Sequence, residues 1–213
     1  MTIDTPTLRK AIIDTALGMN AAGINRGKSG NVSARIDGGF LITPSGLPYA
    51  DTTVDDIVAV DESGAASGTR KPSSEWRFHR DIYRARKEAA AIVHAHSPFA
   101  TTLACLDRGI PAFHYMIAMA GGNDIRCASY ATFGTQELSD AALAALDGRK
   151  ACLLAHHGMI VIGESLDKAL ALAVEVETLA EMYWRALQIG EPEILSDDEM
   201  RIVVAKFADY GKP

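Results

Sequence analysis

The sequence predicts a single α/β domain in which a largely antiparallel sheet is flanked by helices. Its length of 213 residues suits one hydrophobic core, since domains commonly hold roughly 100–200 residues. Short strand-like segments follow one another near the N-terminus with Gly-containing turns between them, as in an antiparallel meander. Strand-like and helical segments then intermix along the rest of the chain, without a repeat, a linker or a biased stretch that would divide it. We therefore expect residues 1–213 to form one domain.

The first part of the chain is predicted to contain a helix, a meander of three strands, a helix and a strand. Thr5 and Pro6 are typical of a helix start, and apolar residues at helical spacing follow them towards Gly23. The strands are predicted from β-rich runs that are bounded by Gly and Pro turns. In chain order the segments are a helix ending near residue 23, strands 32–36, 40–43 and 57–60, a helix 74–87 and a strand 90–96.

The second part is predicted to contain four helices and two buried strands. Ser165 is a suitable helix start, and the residues after it are rich in Ala, Leu, Val and Glu, which predicts a long helix. Two apolar runs flank His156, His157 and Gly158, and they predict two strands on either side of a turn. In chain order the segments are helices 101–106 and 136–146, strands 151–155 and 159–162, and helices 165–187 and 197–207.

Composition and charge exclude several classes of protein. Hydrophobic residues make up 48% of the chain and charged residues 23%, which is typical of a globular protein rather than a disordered or collagen-like one. A net charge of −6 disfavours nucleic-acid binding, because a binding face for phosphates is usually basic. The three cysteines lack the spacing of a disulfide framework or a thiolate zinc site, and no segment approaches the ~18 apolar residues of a membrane span. We expect a cytoplasmic protein with neither a nucleic-acid nor a membrane partner.

The histidines predict a metal site. His94 and His96 end a predicted strand, where side chains two residues apart lie on the same face, so both imidazoles can bind one cation. His156 and His157 would face opposite sides if the strand continued through them, so one of the two is a candidate third ligand and alternation does not decide which. Three imidazoles with an open position are typical of catalytic rather than structural zinc. We expect packing or hydrogen-bonding roles for the two other histidines, His79 and His114.

Three loops contain small polar residues that together predict a phosphate site. They lie at residues 30–31, 43–46 and 72–75, and each offers backbone N–H groups beside hydroxyl or amide side chains. Ser73 and Ser74 precede a predicted helix, whose N-terminal dipole favours an anion, although a serine at a helix start is often only an N-cap. Glu75 follows in the first turn, where its carboxylate suits a metal ligand, a general base or a surface residue favoured by the dipole.

Eight motifs follow one another with an order and spacing that chance similarity would not produce. They are GKSGNVSAR (27–35), LITPSG (41–46), KPSSEWRFH (71–79), VHAHS (93–97), IPAFHYMIAMAGGN (110–123), YATFGT (130–135), LLAHHG (153–158) and KFADYG (206–211). With them, the chain resembles the class II aldolases of the L-fuculose-1-phosphate aldolase group, in the wider aldolase and adducin head family. The resemblance extends over nearly the whole chain.

The resemblance implies a fold, an assembly and a metal site. The fold would be a three-layer α/β/α class II aldolase domain around a mainly antiparallel sheet, and the assembly a C4 homotetramer with active sites at subunit interfaces. The family binds one Zn²⁺ per subunit, which Mn²⁺ or Co²⁺ can replace, and this resemblance selects His157 over His156. The implied ligands are Glu75, His94, His96 and His157.

The resemblance also implies roles for other side chains. Glu75 would act as the catalytic base, and Tyr115 corresponds to the tyrosine that reaches the site of a neighbouring subunit. The positions that bind phosphate correspond to Gly30, Asn31, Ser45, Gly46, Ser73 and Ser74, and those that line the aldehyde side correspond to Phe133, Phe207 and Tyr210. The chain departs from the group at two loop positions: Lys28 replaces a small hydroxyl residue and either adds a charge to the phosphate or faces solvent, and Ser45 replaces a threonine.

The activity implied by the resemblance is reversible cleavage of a ketose 1-phosphate to dihydroxyacetone phosphate and an aldehyde. L-fuculose 1-phosphate, which would give L-lactaldehyde, is the first expectation, and 5-deoxyribulose or 5-methylthioribulose 1-phosphate is the alternative. A pentulose-phosphate 4-epimerase or a decarboxylase would use the same metal site. An adducin-like interaction module is disfavoured because the candidate ligands are intact. A Schiff-base aldolase is disfavoured because none of the eight lysines lies in an evidently apolar strand.

Overall fold

Six α-helices and nine strands account for most of residues 2–209, the part of the chain that this computed structural model describes. The helices are α1 (Pro6–Ala21), α2 (Trp76–Ala85), α3 (Pro98–Ala104), α4 (Gln136–Ala145), α5 (Leu166–Leu187) and α6 (Asp197–Asp209). The strands are β1 (Asn31–Ile36), β2 (Gly39–Ile42), β3 (Val58–Asp61), β4 (Ala66–Ser67), β5 (Ala91–Ala95), β6 (Ile110–Pro111), β7 (Asp124–Ala128), β8 (Ala151–Leu154) and β9 (Gly158–Gly163). None of these helices is long and apolar enough to cross a membrane.

Helix starts coincide with the capping residues of the sequence. Thr5 and Ser165 each accept a hydrogen bond from the backbone N–H three residues later, as N-caps of α1 and α5. Helix α3 begins at Pro98, after Ser97, and therefore starts three residues before the predicted segment. A proline at the first helical position, after a residue with a side-chain hydroxyl, also marks the start of α1 at Thr5 and Pro6.

The strands form one sheet in the order β4-β3-β2-β1-β5-β9-β8-β7-β6. Every neighbouring pair is antiparallel except β7 and β8, which run parallel. The prediction of a largely antiparallel sheet is thus confirmed. Strand β5 lies at the centre, where it pairs with β1 on one side and β9 on the other.

Two hydrophobic cores, one on each face of the sheet, make the fold a three-layer α/β/α domain. Val93 of β5 packs into the core that includes residues of α1, α3 and α5. Its neighbour Ile92 packs into the second core, which includes residues of α2 and α4. Because side chains alternate along a strand, His94 lies on the same face as Ile92, beneath α2, where its ring contacts Phe78 at 5.5 Å.

Helix α2 is anchored to the sheet by Arg35 of β1. Its guanidinium donates hydrogen bonds to the carbonyl oxygens of Tyr83, Arg86 and Ala89 at 2.7–2.8 Å. These carbonyls lie at and just beyond the C-terminus of α2, where a cation is favourable. The anchor fixes the position of the opposite end of the helix, where Glu75 is the N-cap residue.

The sequence prediction missed three strands and shifted some boundaries. Strands β4 and β6 have two residues each, which is too short for a recognisable period. Strand β7 was also missed, although its sequence DIRCA alternates polar and apolar residues at the first three positions. Helix α2 starts at Trp76 rather than residue 74, and β5 ends at Ala95, so His96 lies just beyond the strand.

Candidate metal centre

Four ionisable side chains from three parts of the fold converge beneath α2. His94 and His96 come from the end of β5, His157 from the turn between β8 and β9, and Glu75 from the start of α2. His94 Nε2 lies 3.0 Å from His96 Nε2 and 3.0 Å from Glu75 Oε2, and His157 Nε2 lies 3.1 Å from Glu75 Oε1. The four candidate ligand atoms all lie within 4.8 Å of one another.

The donor set fits one divalent cation. The three imidazole rings stand 4.8–4.9 Å apart with interplanar angles of 75–78°, so that their edges face a common point. Ligand atoms around a tetrahedral Zn²⁺ are separated by about 3.3 Å, close to the separations seen here. Glu75 Oε1 is buried and accepts no hydrogen bond among the described residues, despite the nearby His157, so this oxygen is left for a cation.

Contacts behind the ligands fix their orientation. His94 Nδ1 donates to the carbonyl oxygen of Met159 at 2.9 Å, which leaves the Nε2 lone pair facing the cluster. Gly158 follows His157 and lets β9 approach β5, because a Cβ there would lie 2.5 Å from the Ala95 carbonyl oxygen and 3.1 Å from His96 Cδ2. The backbone at this point therefore requires a residue without a side chain.

The choice between the two adjacent histidines is decided by the turn. Strand β8 ends at Leu154, and His156 has a left-handed backbone with φ of 55°. His156 is exposed, and its ring lies edge-on to Tyr130 at 5.8 Å. His157 points into the cluster instead, as the family resemblance implied.

Electrostatics favour the ligating forms of Glu75 and His96, whereas the Glu75 carboxylate outweighs burial and raises the pKa of His94. Burial acts to raise the pKa of Glu75, but His94 and His157 outweigh burial and hold that pKa well below its usual range. Burial, with the nearby His94 and His157 rings, lowers the pKa of His96 to about 4. Near neutral pH, Glu75 is therefore an anion and His96 a neutral imidazole, which are the forms that ligate.

The three small-residue loops lie next to this cluster. Gly30 packs against β5, because a Cβ there would lie 2.5 Å from the His94 carbonyl oxygen. The loops at 43–46 and 72–75 lie beside each other: the Ser73 N–H donates to the Thr43 carbonyl, and the Ser45 N–H donates to the carbonyl of Lys71, which precedes the third loop.

Side chains join these loops to one another and to Glu75. Asn31 Nδ2 donates to Ser73 Oγ at 3.0 Å and to Glu75 Oε2 at 3.1 Å. Lys28 Nζ donates to the Gly46 carbonyl at 2.7 Å and so bridges two of the loops. Of the six candidate phosphate residues, Asn31 and Ser73 are thus bonded to each other and are buried with Gly30, whereas Ser45, Gly46 and Ser74 are exposed.

Tyr115 and Phe133, two of the remaining candidates, are exposed. Tyr115, in a short 3₁₀ helix (Tyr115–Ala120), is 51% exposed and stacks on Phe207 at 6.3 Å. Within residues 2–209, no hydrogen bond or ring contact joins Tyr115 to the four ligands. Phe133 is 66% exposed. Tyr210 lies outside the described residues.

The loop that carries Phe133 lies against the small-residue loops. Arg77 Nη1 donates to the Gly134 carbonyl at 2.7 Å, and a Cβ on Gly134 would lie 3.1 Å from the Ser74 carbonyl oxygen. These contacts bring the loop beside one of the candidate phosphate residues.

Sequence reasoning missed a buried hydrogen-bonded chain behind Glu75. It gave His79 a packing or hydrogen-bonding role, and this is confirmed, since both ring nitrogens have partners and the residue is fully buried. Ser33, the partner of His79 Nδ1, and Tyr83, the partner of Ser33, were not singled out. Glu75, His79 and Tyr83 are spaced four residues apart, which places them on one face of α2 and is the signal that could have found them.

Comparisons with known proteins show which family and which aldolases this chain resembles. Residues 10–184 match the model of the Class II Aldolase and Adducin N-terminal domain. The chain is 62% identical over 204 residues to a 5-methylthioribulose-1-phosphate/5-deoxyribulose-1-phosphate aldolase of Rhodospirillum rubrum, covering 96% of this chain and 92% of that protein. It is 51% identical to an L-fuculose phosphate aldolase of Escherichia coli, with 96% and 95% covered. Among solved structures, an L-fuculose 1-phosphate aldolase matches with a TM-score of 0.94 at 39% identity, covering 97% of this chain and 98% of that one.

Proposed function

The chain belongs to the class II aldolase and adducin family, and from this premise we propose that it cleaves 5-methylthioribulose 1-phosphate or 5-deoxyribulose 1-phosphate to dihydroxyacetone phosphate and an aldehyde. The observation that carries aldolase chemistry is the cluster of three imidazoles and one carboxylate beside the small-residue loops. A protein that only presents an interaction surface has no need of such a cluster.

The choice of substrate follows from the relatives. The sequence motifs alone favour L-fuculose 1-phosphate, whereas a 62% identical relative is named for the two ribulose phosphates and the fuculose-phosphate relative is 51% identical. All three substrates release dihydroxyacetone phosphate and differ only in the aldehyde. L-fuculose 1-phosphate therefore remains the second candidate, and its hydroxyl-bearing aldehyde distinguishes it from the less polar aldehydes of the other two.

The metal we propose is Zn²⁺, one per subunit, held by Glu75, His94, His96 and His157. Three imidazoles with one carboxylate suit this ion, and Mn²⁺ or Co²⁺ are the alternatives. A divalent cation in this position supplies Lewis acidity, which stabilises negative charge on the carbonyl and hydroxyl oxygens of the substrate.

The side chains of the cluster and loops have separate tasks in the proposed reaction. Glu75, a ligand in the resting enzyme, would be displaced by the substrate and would then take up or return a proton at the carbon next to the substrate carbonyl. The loop residues Gly30, Asn31, Ser45, Gly46, Ser73 and Ser74 bind the phosphate, which fixes the substrate far from the bond that breaks. Lys28 lies beside Gly46, where its ammonium adds positive charge at the edge of these loops.

We also propose a homotetramer whose active sites lie at subunit interfaces. Tyr115 is half exposed and makes no contact with the metal ligands of its own described chain, which suits a side chain that serves a neighbouring subunit. There it would exchange a proton with the aldehyde oxygen, with Phe133, Phe207 and Tyr210 lining the aldehyde side. A cytoplasmic location remains a prediction from composition.

The test is release of dihydroxyacetone phosphate, measured with a coupled dehydrogenase, from all three ketose 1-phosphates. Each is assayed with zinc and after chelator treatment, and L-ribulose 5-phosphate is included as a substrate for an epimerase. Metal-dependent release that is fastest from the two ribulose 1-phosphates supports the proposal, and faster release from L-fuculose 1-phosphate selects the second candidate. Metal-bound protein that releases no dihydroxyacetone phosphate from any of them, but epimerises L-ribulose 5-phosphate, would show that the proposal is wrong.

A further inference from the structure

A buried chain of hydrogen bonds leads from the sheet side of α2 to the metal ligands. Tyr83 OH lies 2.8 Å from Ser33 Oγ, and Ser33 Oγ lies 2.7 Å from His79 Nδ1. His79 Nε2 lies 2.5 Å from Asn31 Oδ1, and Asn31 Nδ2 donates to Glu75 Oε2 at 3.1 Å. All five side chains are at most 5% exposed, so water does not compete for these bonds.

The direction of every hydrogen bond in this buried chain follows from the bonds at its Glu75 end. The Asn31 amide nitrogen faces both Glu75 Oε2 and Ser73 Oγ, and its oxygen, which can only accept, faces His79. His79 Nε2 must therefore carry the proton. Burial and the nearby His94 lower the pKa of His79 to about 3, so the ring is neutral and its Nδ1 accepts from the Ser33 hydroxyl. Ser33 Oγ in turn accepts from the Tyr83 hydroxyl.

The fold brings these side chains together through two simple periodicities. Glu75, His79 and Tyr83 lie four residues apart along α2, and Asn31 and Ser33 lie two residues apart along β1. Asn31 is the register partner of His94 in β5, so the chain ends beside the metal ligands. Helix α2 is held over this face by the Arg35 anchor.

We propose that His79 is a positioning residue, which fixes the amide of Asn31 and through it the carboxylate of Glu75 and the hydroxyl of Ser73. Without His79, the amide of Asn31 is free to rotate and to place its oxygen against the Glu75 carboxylate, which repels it. Ser73 Oγ accepts from Asn31, which leaves the Ser73 hydroxyl hydrogen to donate to a bound anion. The expected effect of losing His79 on metal binding rests on geometry alone, whereas its expected effect on catalysis rests on the proposed aldolase function.

Zinc affinity of the complete protein tests the proposal without a substrate. The dissociation constant is measured by competition with a chromophoric chelator for wild type, His79→Phe, His79→Gln and the control Ile82→Ala. Phenylalanine keeps a ring against Phe78 and Phe40 but cannot hydrogen-bond, whereas glutamine retains an N–H for Asn31. Ile82 is fully buried in the same helix and takes no part in the chain of hydrogen bonds. Its truncation therefore reports on a general loss of packing.

The expected result is a graded one. His79→Phe should weaken zinc binding about 10- to 100-fold, as loss of an outer-shell partner of a ligand does, and His79→Gln should restore most of it. Ile82→Ala should lower the melting temperature with little change in zinc affinity. Wild-type affinity in His79→Phe, or an equal loss of affinity in all three variants, would overturn the proposal. If His79→Phe does not fold, Ser33→Ala, which removes the donor to His79 Nδ1, is measured in its place, and wild-type affinity there overturns the proposal equally.

A double-mutant cycle with Asn31→Ala tests whether His79 acts through Asn31. If it does, adding His79→Phe to Asn31→Ala should change the zinc dissociation constant by less than about twofold, the usual limit of additivity errors. Independent, additive losses would overturn the route through Asn31. Dihydroxyacetone phosphate release is measured on the same proteins, where His79→Phe should lower kcat and raise KM, and Ile82→Ala should change neither. A wild type that binds zinc but cleaves no ketose phosphate would refute the proposed function, while the zinc cycle would still decide the role of His79.

Discussion

The burial of His79 makes the stability of the fold depend on pH, by an amount that the structure sets. In the unfolded chain its pKa is about 6.5, and in the folded protein burial, with the charge of His94, lowers it to about 3. Below pH 6.5 the unfolded state therefore binds a proton that the folded state does not, so stability falls as the pH falls. The loss of unfolding free energy from His79 alone is about 1 kcal/mol at about pH 5.5 and about 3 kcal/mol at about pH 4.5. It levels off near the pKa of His79 in the folded protein.

Urea unfolding of wild type and His79→Gln across this pH range measures the effect. Both proteins are kept metal-free with chelator, because metal binding is itself coupled to protonation. Glutamine retains a hydrogen bond to Asn31 and does not titrate. Other acid-sensitive groups such as Glu75 and His96 are common to both proteins, so the difference between the two curves isolates His79. Between neutral pH and about pH 4.5, the unfolding free energy of His79→Gln should rise by about 3 kcal/mol relative to that of wild type. Curves that stay parallel would refute the assignment of a buried, neutral His79.

Four further substitutions test the site and its support. Glu75→Gln should lower kcat by about 10²- to 10⁴-fold while the three imidazoles keep zinc bound, and a kcat above about a tenth of wild type in the dihydroxyacetone phosphate assay would contradict its role as base. His96→Ala should lose zinc as well as turnover, and a metal analysis showing full zinc together with full activity would remove His96 from the ligand set. Gly30→Ala must displace the backbone of His94 by placing a Cβ 2.5 Å from its carbonyl oxygen. We expect a loss of about 1–3 kcal/mol in unfolding free energy and weaker zinc binding, whereas an unchanged urea midpoint would contradict the close approach. Arg35→Met removes three hydrogen bonds at the end of α2 and should lower the free energy of unfolding by about 3 kcal/mol in urea, an expectation that a loss below about 0.5 kcal/mol would rule out.

Local signals predicted the centre of the sheet better than its edges. Strands β5 and β9 consist almost entirely of apolar residues, because helices cover both faces of the sheet there. Strand β7 exposes part of Asp124 and Arg126, and these polar residues are more typical of a loop than of a buried strand. Strand β6 is a two-residue strand only because it pairs with β7. Pairing partners of this kind cannot be found from a short segment alone.

The four candidate metal ligands were predictable to different degrees for physical reasons. Two-residue spacing along a strand places His94 and His96 on one face, which a local rule describes. The alternation of side chains along a strand could not show which of His156 and His157 reaches the cluster. Strand β8 ends before both residues, and the backbone turns at His156, which has a left-handed conformation. Glu75 reaches the cluster through the docking of α2, which depends on contacts of Arg35 with residues about fifty positions away. The local reading left Glu75 as a metal ligand, a general base or a surface residue, and the resemblance to a known family selected among these.

The burial of the cluster is itself an argument for a bound cation. Glu75 and His94 are almost fully buried, and one oxygen of Glu75 accepts no hydrogen bond within the described chain. Removing ionisable groups from water costs several kcal/mol for each group unless partners compensate, and a carboxylate near three imidazoles is only partly compensated. A divalent cation at the centre would satisfy all four ligand atoms at once, so that binding the metal also stabilises the fold. Packing alone gives no reason for this arrangement, because apolar side chains of similar volume at these positions would avoid the cost entirely.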